Sequence, residues 1–296
     1  MTLAELYTTE PAWLIGSIFL LSLLIGSFLN VVIHRLPIMM ERDWRQQAQE
    51  LLAAEPTTYS LQPTAKYNLI VPRSACPNCG AQITALQNIP VISWLLLRGR
   101  CAHCGANISA RYPLVELATA LLSAAVAWRF GFTLHMVAAL VFTWILIGLC
   151  MIDFDQQLLP DDMTLPLLWL GLFLSLFSGA VLPVTPREAI IGALAGYLSL
   201  WLVFHAFKAL TGKEGMGYGD FKLLAALGAW LGWQMLPLII LLSACVGAVV
   251  GIGLIVIRGR DRNIPIPFGP YLAAAGWIAM FWGERMVTAY WHSLGM

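Results

Sequence analysis

Long apolar runs, each about the length of a membrane span, alternate with short polar segments along this chain. The predicted spans are Ala12–Ile33, Leu114–Trp128, Phe132–Cys150, Leu165–Val184, Ile190–Phe207, Phe221–Trp233, Met235–Ile257 and Phe268–Trp282. A helix needs about 20 apolar residues to cross the hydrocarbon core of a bilayer. The runs lack the alternating hydrophobicity of a membrane barrel. The pattern therefore predicts an all-α, polytopic membrane protein with about eight transmembrane helices.

The polar segments differ in length and character. A long one, His34–Tyr112, follows the first span, and an acidic loop and a glycine-rich loop come later, at Ile152–Met163 and Leu210–Gly219. The first ten residues contain no Lys or Arg, so we expect the first apolar run to be a retained span and not a cleaved signal peptide. The predicted domains are an N-terminal segment with the first span (1–33), a cytoplasmic loop domain (34–112) and a transmembrane domain (113–296).

Composition and charge agree with a membrane location. Hydrophobic residues make up 59% of the chain and charged residues 11%, whereas soluble domains carry about 25% charged residues. The segment His34–Tyr112 holds eight Lys and Arg residues, and two later connections on the same predicted side hold three each. The other side has only Arg129, Arg187 and Arg285. The positive-inside rule thus predicts a cytoplasmic long loop and two external termini in the inner membrane.

Four of the six cysteines form two pairs in the long loop. They occur as Cys76-Pro-Asn-Cys79 and Cys101-Ala-His-Cys104, with 21 residues between the pairs. Two such knuckles resemble a zinc ribbon, in which four thiolates enclose one tetrahedral ion. Gly80 and Gly105 follow the pairs and suit the tight turn of a knuckle. The sequence predicts one structural Zn²⁺ per chain, because a closed four-thiolate site leaves no coordination position for water.

Other interpretations of the sulfur and histidine residues are open. A disulfide or redox pair is the alternative to zinc, although the cytoplasm is reducing. His103, between two of the cysteines, is interpreted as a solvated side chain. Cys150 and Cys245 lie in predicted spans and are interpreted as small buried apolar residues.

Aspartates cluster at the edges of the predicted spans. Asp153 and Asp155 follow the third span, and Asp220 follows Gly217-Tyr218-Gly219 at the start of the sixth. Ionisable residues at such positions are costly and therefore suggest function. Asp161 and Asp162 precede the fourth span, where Asp often begins a helix.

Asp153 and Asp220 fall on the same predicted membrane face. Two carboxylates in a partly apolar site share a proton and titrate as a unit. In aspartic proteases the ionised member takes a proton from water while the protonated member polarises the scissile carbonyl. The glycines Gly217 and Gly219 permit a close backbone approach beside Asp220. Asp155 is an alternative to Asp153 as the first catalytic residue.

At these residues the chain resembles the type IV prepilin peptidase family, over almost its whole length. The motifs are Gly26–Pro37, Asn88–Trp94, Leu97–Gly99, Arg111–Glu116, Ile152-Asp153 with Leu159–Asp161, Gly217–Asp220, and Pro267-Phe268-Gly269-Pro270. Each motif alone is weak, and their order and spacing together are specific.

The resemblance implies a bifunctional enzyme. Family members remove the leader of prepilins and pseudopilins on the cytoplasmic side, after a Gly, and many methylate the new N-terminal residue with S-adenosylmethionine. The family's two aspartates match Asp153 and Asp220, and Gly99 lies in the loop segment that the family associates with methylation. The expected partners are prepilins or pseudopilins and membrane lipid, with no nucleic acid.

Two further residues are candidates for supporting roles. Lys222 is either an anchor for an acidic substrate residue, an ion-pair partner or an interfacial side chain. Glu116 lies inside the second span and has either a buried partner or a cavity role. Two other functions compete with the peptidase: a transporter with aspartate relays, which requires midplane carboxylates and an internal repeat, and a docking module that uses the bundle as an anchor.

Overall fold

A computed structural model describes residues 2–53, 66–213, 215–258 and 266–293. In these ranges the chain is helical, with isolated β-bridges and no β-strand. The α-helices are α1 (Leu3–Thr9), α2 (Pro11–Ala53), α3 (Ile92–Leu96), α4 (Arg111–Phe130), α5 (Leu134–Gln156), α6 (Asp161–Ser175), α7 (Pro186–Thr211), α8 (Tyr218–Leu231), α9 (Leu236–Arg258) and α10 (Gly269–Ser293). The predicted all-α fold class is confirmed.

Each predicted span falls on one of the long helices, α2 and α4 to α10. Five segments are long and apolar enough to cross a membrane: Pro11–Leu51, Arg111–Phe130, Leu134–Gln156, Pro186–Thr211 and Trp233–Gly253. The helices α6 and α8 have only 15 and 14 residues. The chain is therefore a helical membrane protein, and the count of eight spans stays a prediction.

Helix α2 is longer than the first predicted span. It continues beyond Ile33 and past Pro37 to Ala53. Side chains one turn apart support the polar extension, because Arg45 pairs with Glu41 at 2.6 Å and Gln46 donates to Glu50 at 2.8 Å. Span-length reasoning ended the helix where the apolar run ended and did not see that the polar residues also favour a helix.

The described chain forms two compact units. We call residues 12–125 the knuckle unit and residues 1–11 with 126–296 the bundle unit. The division into 1–33, 34–112 and 113–296 that the sequence predicts stays a prediction. In the knuckle unit, α2 and α4 pack closely, since a Cβ at Gly26 would lie 2.7 Å from the Cα atom of Glu116.

Helix α8 is the most enclosed element of the bundle unit. Every residue from Leu223 to Trp230 is buried, and a helix that is apolar on all sides belongs inside a bundle. Glycines let its neighbours approach, because a Cβ at Gly228 would lie 2.2 Å from the carbonyl oxygen of Gly192 on α7. The Trp230 indole donates to the Leu167 carbonyl of α6 at 2.7 Å. These contacts hold the first turn of α8, which carries Asp220, in a defined place.

Candidate active site and metal centre

Asp153 lies near the end of α5, where the long apolar helix stops. The helix terminates at Gln156, and Gln157 adopts a left-handed conformation with φ of 54°. The Asp153 side chain is buried, with 5% of its surface exposed. Its carboxylate accepts a hydrogen bond of 3.0 Å from the backbone N–H of Gly269 at the start of α10. A residue 116 positions away in sequence therefore orients this carboxylate.

Asp220 occupies the first turn of α8, directly after the cap residue Gly217. It is 7% exposed, although it is an aspartate at the edge of an apolar helix. Asp153 lies close enough to Asp220 for the two carboxylates to interact electrostatically. Two like charges in apolar surroundings cannot both ionise easily, so the pair is suited to hold one proton between its members. The structure thus brings together the two aspartates that the sequence singled out.

Leu159 fills the space beside this aspartate pair. A Cβ at Gly219 would lie 2.7 Å from the Leu159 Cβ atom. A Cβ at Gly269 would lie 2.6 Å from the Asp153 Oδ2 atom and 3.1 Å from the Leu159 Cδ1 atom. Both positions therefore need glycine for space, and Leu159 contacts the backbone segments that carry each aspartate's neighbours.

The remaining carboxylates of this region lie outside the pair. Asp155 and Asp162 are exposed. Asp161 forms a bidentate ion pair with Lys222, both contacts being 2.7 Å between the carboxylate oxygens and Nζ. The ion pair joins α6 to the first turns of α8. It agrees with the interpretation of Lys222 as an ion-pair partner.

Sequence reasoning missed three contributors to this site: Gly269, Leu159 and Asp161. The motif around Gly269 was visible, but no pattern indicated that its backbone N–H reaches Asp153. Asp161 was interpreted only as a helix-start or solvated residue. The missing signal was long-range, because the Asp161–Lys222 pair spans 61 residues of sequence.

The four cysteines of the long loop converge in the knuckle unit. The Sγ atoms of Cys76, Cys79, Cys101 and Cys104 all lie within 4.8 Å of one another, and those of Cys76 and Cys104 are 3.9 Å apart. Ligands at about 2.3 Å from a tetrahedral ion lie about 3.8 Å from each other. The sulfur atoms thus fit one four-coordinate metal ion.

The two knuckles have the same backbone structure. In the first, the Cys76 N–H donates to Ala81 and the Gly80 N–H to Cys76; in the second, Cys101 donates to Ala106 and Gly105 to Cys101. Gly80 and Gly105 both have positive φ values, 70° and 69°. The turn predicted from the glycines is confirmed.

Local N–H groups favour the thiolate form of two of the ligands. The backbone N–H groups of Cys79 and Asn78 lower the pKa of Cys76. The Ala106 N–H, together with the Asn78 side chain, lowers the pKa of Cys104 to about 6. The thiolate is the form that binds metal, so these hydrogen bonds prepare the site for an ion.

Glu116 has a backbone partner in the segment between the knuckles. This side chain on α4 is buried and accepts a hydrogen bond of 2.8 Å from the Val91 N–H. Val91 has a φ of 59°, which is strained for a β-branched residue. The contact therefore ties the start of α3 to α4. The buried partner that was one of the two expected roles of Glu116 is present.

Gly99 lies under an aromatic ring. A Cβ there would approach the Trp94 ring to 2.9 Å, and the backbone has a φ of 67°. The Trp94 indole donates to the Ile108 carbonyl at 3.1 Å. Gly99 thus permits the fold of the segment Val91–Gly99, and it lies in the same unit as Glu116.

Comparison with known proteins gives two family matches. Residues 20–130 match the bacterial peptidase A24 N-terminal domain, and residues 140–252 match the type IV leader peptidase family. The first match contains the knuckles, and the second contains both Asp153 and Asp220.

Several curated relatives are similar over nearly their full lengths. The prepilin leader peptidase/N-methyltransferase of Aeromonas hydrophila is 59% identical over 279 residues, which cover 94% of each protein. The protein of the same description from Pseudomonas aeruginosa is 54% identical over 295 residues, covering 100% of this chain and 99% of the relative. The one from Legionella pneumophila is 46% identical and covers 92% of each protein. No solved structure matches the chain.

Proposed function

The chain belongs to the type IV leader peptidase family and is an inner-membrane prepilin peptidase with N-methyltransferase activity; we propose that Asp153 and Asp220 are its catalytic pair. One observation carries this assignment. Two carboxylates 67 residues apart in sequence interact inside an apolar bundle while each is less than one tenth exposed. Burial of this kind is expensive and is typical of functional carboxylates.

The pair cleaves the leader by activating water. One carboxylate removes a proton from the water molecule, whose oxygen attacks the scissile carbonyl carbon, while the protonated partner donates a hydrogen bond to the carbonyl oxygen. The tetrahedral intermediate then breaks its C–N bond, and the leaving amine takes up the proton. The Gly269 N–H orients Asp153 for these steps, and the Lys222–Asp161 pair positions the first turn of α8 that carries Asp220.

We assign the aspartate pair to the cytoplasmic side. The Lys and Arg distribution supports this orientation, although Arg260 and Arg262, which contribute to it, lie outside the described residues. The substrates are prepilins or pseudopilins, cleaved after a Gly, with the apolar helix of the substrate beside the spans and its charged leader in water. A transporter is disfavoured, because both aspartates lie at helix ends and not at the centres of spans.

We assign Zn²⁺ to the four cysteines as a structural ion, one per chain. All four ligand positions are filled by protein sulfur, so no water is available for hydrolysis at this centre. The ion instead holds two exposed knuckles together, which their few backbone hydrogen bonds alone could not do.

Methyl transfer involves the segment Val91–Gly99 in this proposal. S-adenosylmethionine, when bound, supplies the methyl group to the amine that leader removal creates. The Trp94 ring offers an aromatic surface of the kind on which an adenine base stacks. Glu116 fixes the strained Val91 and thereby positions this segment, and Gly99 leaves room for the Trp94 ring.

The test uses purified wild type, Asp153→Asn, Asp220→Asn and Asp155→Asn, each mixed with a prepilin that has Gly at the cleavage junction. Mass spectrometry follows the products with and without S-adenosylmethionine. We expect both pair variants to lose at least about 1,000-fold in cleavage rate, since each removes a proton-transfer group. Asp155→Asn serves as the matched control and should cleave normally. Robust cleavage by either pair variant would contradict the assignment.

The same assay tests the methyl-transfer segment with a precleaved pilin as substrate. Glu116→Ala and Gly99→Leu should reduce methylation at least tenfold and leave leader cleavage within about twofold, because the Asp pair is intact. Glu116→Gln keeps an oxygen that can accept from the Val91 N–H and should retain most methylation. Equal loss of both activities in Glu116→Ala would indicate a general structural role instead.

A further inference from the structure

A cavity of about 350 Å³ lies in the bundle unit, at the opposite helix ends from the aspartate pair. His135 lines it near the start of α5, and Asp153 lies 18 residues further along the same helix. At 1.5 Å per residue these positions are about 27 Å apart. The hydrocarbon core of a bilayer is about 30 Å thick. The cavity and the aspartate pair therefore lie at opposite membrane surfaces.

The cavity lining carries more positive than negative charge. Arg129 and Arg285 line it together with one carboxylate, that of Glu284. In the part of the chain that the structure describes, neither arginine forms an ion pair. The Arg129 guanidinium lies 5.5 Å from the centre of the Phe130 ring, and that ring stacks on His135 with centroids 4.4 Å apart. Two guanidinium groups without counter-ions suit a phosphate group, which arginine binds through paired hydrogen bonds.

The surroundings of the cavity are those of a membrane interface. Trp282 lines it, and Trp128 and Trp233 flank the same helix ends with exposed fractions of 71% and 47%. Tryptophans concentrate at the level of the lipid headgroups. Leu231 and Met280 give the cavity an apolar wall beside the arginines.

We propose that this cavity binds the phosphate headgroup of an anionic phospholipid, with Arg129 and Arg285 as its phosphate ligands. The volume is at the lower end of the range for ligand pockets, so it accommodates a glycerophosphate group while the acyl chains lie outside against the apolar helices. The location at headgroup level distinguishes a lipid from a soluble anion, which has no need of the apolar wall. The site is separate from the peptidase chemistry and does not rest on the assignment of the aspartate pair.

The experiment measures lipid binding to the delipidated full-length protein by native mass spectrometry. The probes are dioleoyl phosphatidylglycerol, dioleoyl phosphatidylcholine and inorganic phosphate. We compare wild type, the double variant Arg129→Gln/Arg285→Gln, the double variant Arg129→Lys/Arg285→Lys, and Arg187→Gln. Arg187 is the matched control, an exposed arginine at the start of α7 that follows the cavity residues Leu182 and Pro183 without lining the cavity. Leader cleavage and circular dichroism establish that each variant is folded.

Wild type and Arg187→Gln should retain one phosphatidylglycerol with at least tenfold preference over phosphatidylcholine. The glutamine double variant should lose that preference, since each hydrogen bond to a charged group contributes about 1.5–3 kcal/mol. The lysine variant should keep part of it through charge alone. Equal retention of phosphatidylglycerol by the glutamine variant and wild type would overturn the site. Displacement of the lipid by millimolar inorganic phosphate, without any preference between the two lipids, would overturn the lipid assignment.

Discussion

The knuckles and the aspartate pair are organised in opposite ways. Each knuckle is closed by hydrogen bonds between residues no more than nine positions apart, and two of its four cysteines, Cys79 and Cys104, are exposed. The aspartate pair is buried, and its partners come from 61 to 116 residues away. A metal ion can order a local, solvent-exposed structure. A buried pair of carboxylates instead depends on the packing of whole helices, such as the Gly192–Gly228 contact of α7 and α8.

Removal of the metal should separate the two regions most sharply. Treatment with a strong zinc chelator should increase alkylation of Cys76, Cys79, Cys101 and Cys104 by at least about 100-fold, since structural zinc contributes about 10–16 kcal/mol in small peptides. Half-buried Cys150 in the bundle serves as the internal control and should not change. The readout is the mass of labelled peptides against time. Unchanged labelling of the four cysteines would exclude a bound ion.

Crowding of the aspartate pair should have the next largest effect. In Gly269→Ala the added methyl group would lie 2.6 Å from the Asp153 Oδ2 atom and must displace it. A misplacement of about 1 Å can reduce a rate about 100-fold. We therefore expect leader cleavage to fall about 100-fold in steady-state assays, with the metal content by elemental analysis unchanged. Normal cleavage would mean that the Gly269 contact does not orient Asp153.

The packing that supports Asp220 can be perturbed without touching either carboxylate. Gly228→Val places side-chain atoms against the Gly192 carbonyl and should destabilise the bundle by about 1–3 kcal/mol or more. Gly253→Ala is the control, because a Cβ there meets nothing within 4 Å. Unfolding in mixed micelles, followed by circular dichroism, gives the stability of each variant. If Gly228→Val matched wild type, close approach of α7 and α8 would not be required.

The ion pair of Lys222 with Asp161 should have the smallest effect. The Lys222 side chain is 28% exposed and that of Asp161 is 51% exposed, so solvent limits the pair to about 1 kcal/mol. Asp161→Asn and Lys222→Met should each change cleavage only a few-fold, through kcat and KM together. A selective rise in KM in Lys222→Met, absent from Asp161→Asn, would instead support Lys222 as an anchor for an acidic substrate residue.

The sequence predicted different parts of these two regions with different completeness. The knuckles were predictable in full, because ligand spacing and the following glycines are local signals that the positive φ values of Gly80 and Gly105 bear out. The identity of the two aspartates was also visible, because carboxylates are rare beside apolar runs. Their environment was not, since the Gly269 N–H and the wedge of Leu159 depend on which helices meet. The end of α2 was missed because an apolar run marks the membrane and not the helix.

Synthesis of the chain sets an order in which these regions can form. The ligands Cys76 and Cys101 are 25 residues apart, so at about 5–20 residues per second the second knuckle follows the first after about 1 to 5 s. Neither knuckle alone offers four sulfur atoms, and the ion can be enclosed only when Cys104 has left the ribosome. Asp153 and Asp220 are made later still, 67 residues apart. The metal centre of a nascent chain is thus complete before its proteolytic centre exists, and zinc starvation would act on the protein during translation, ahead of helix assembly.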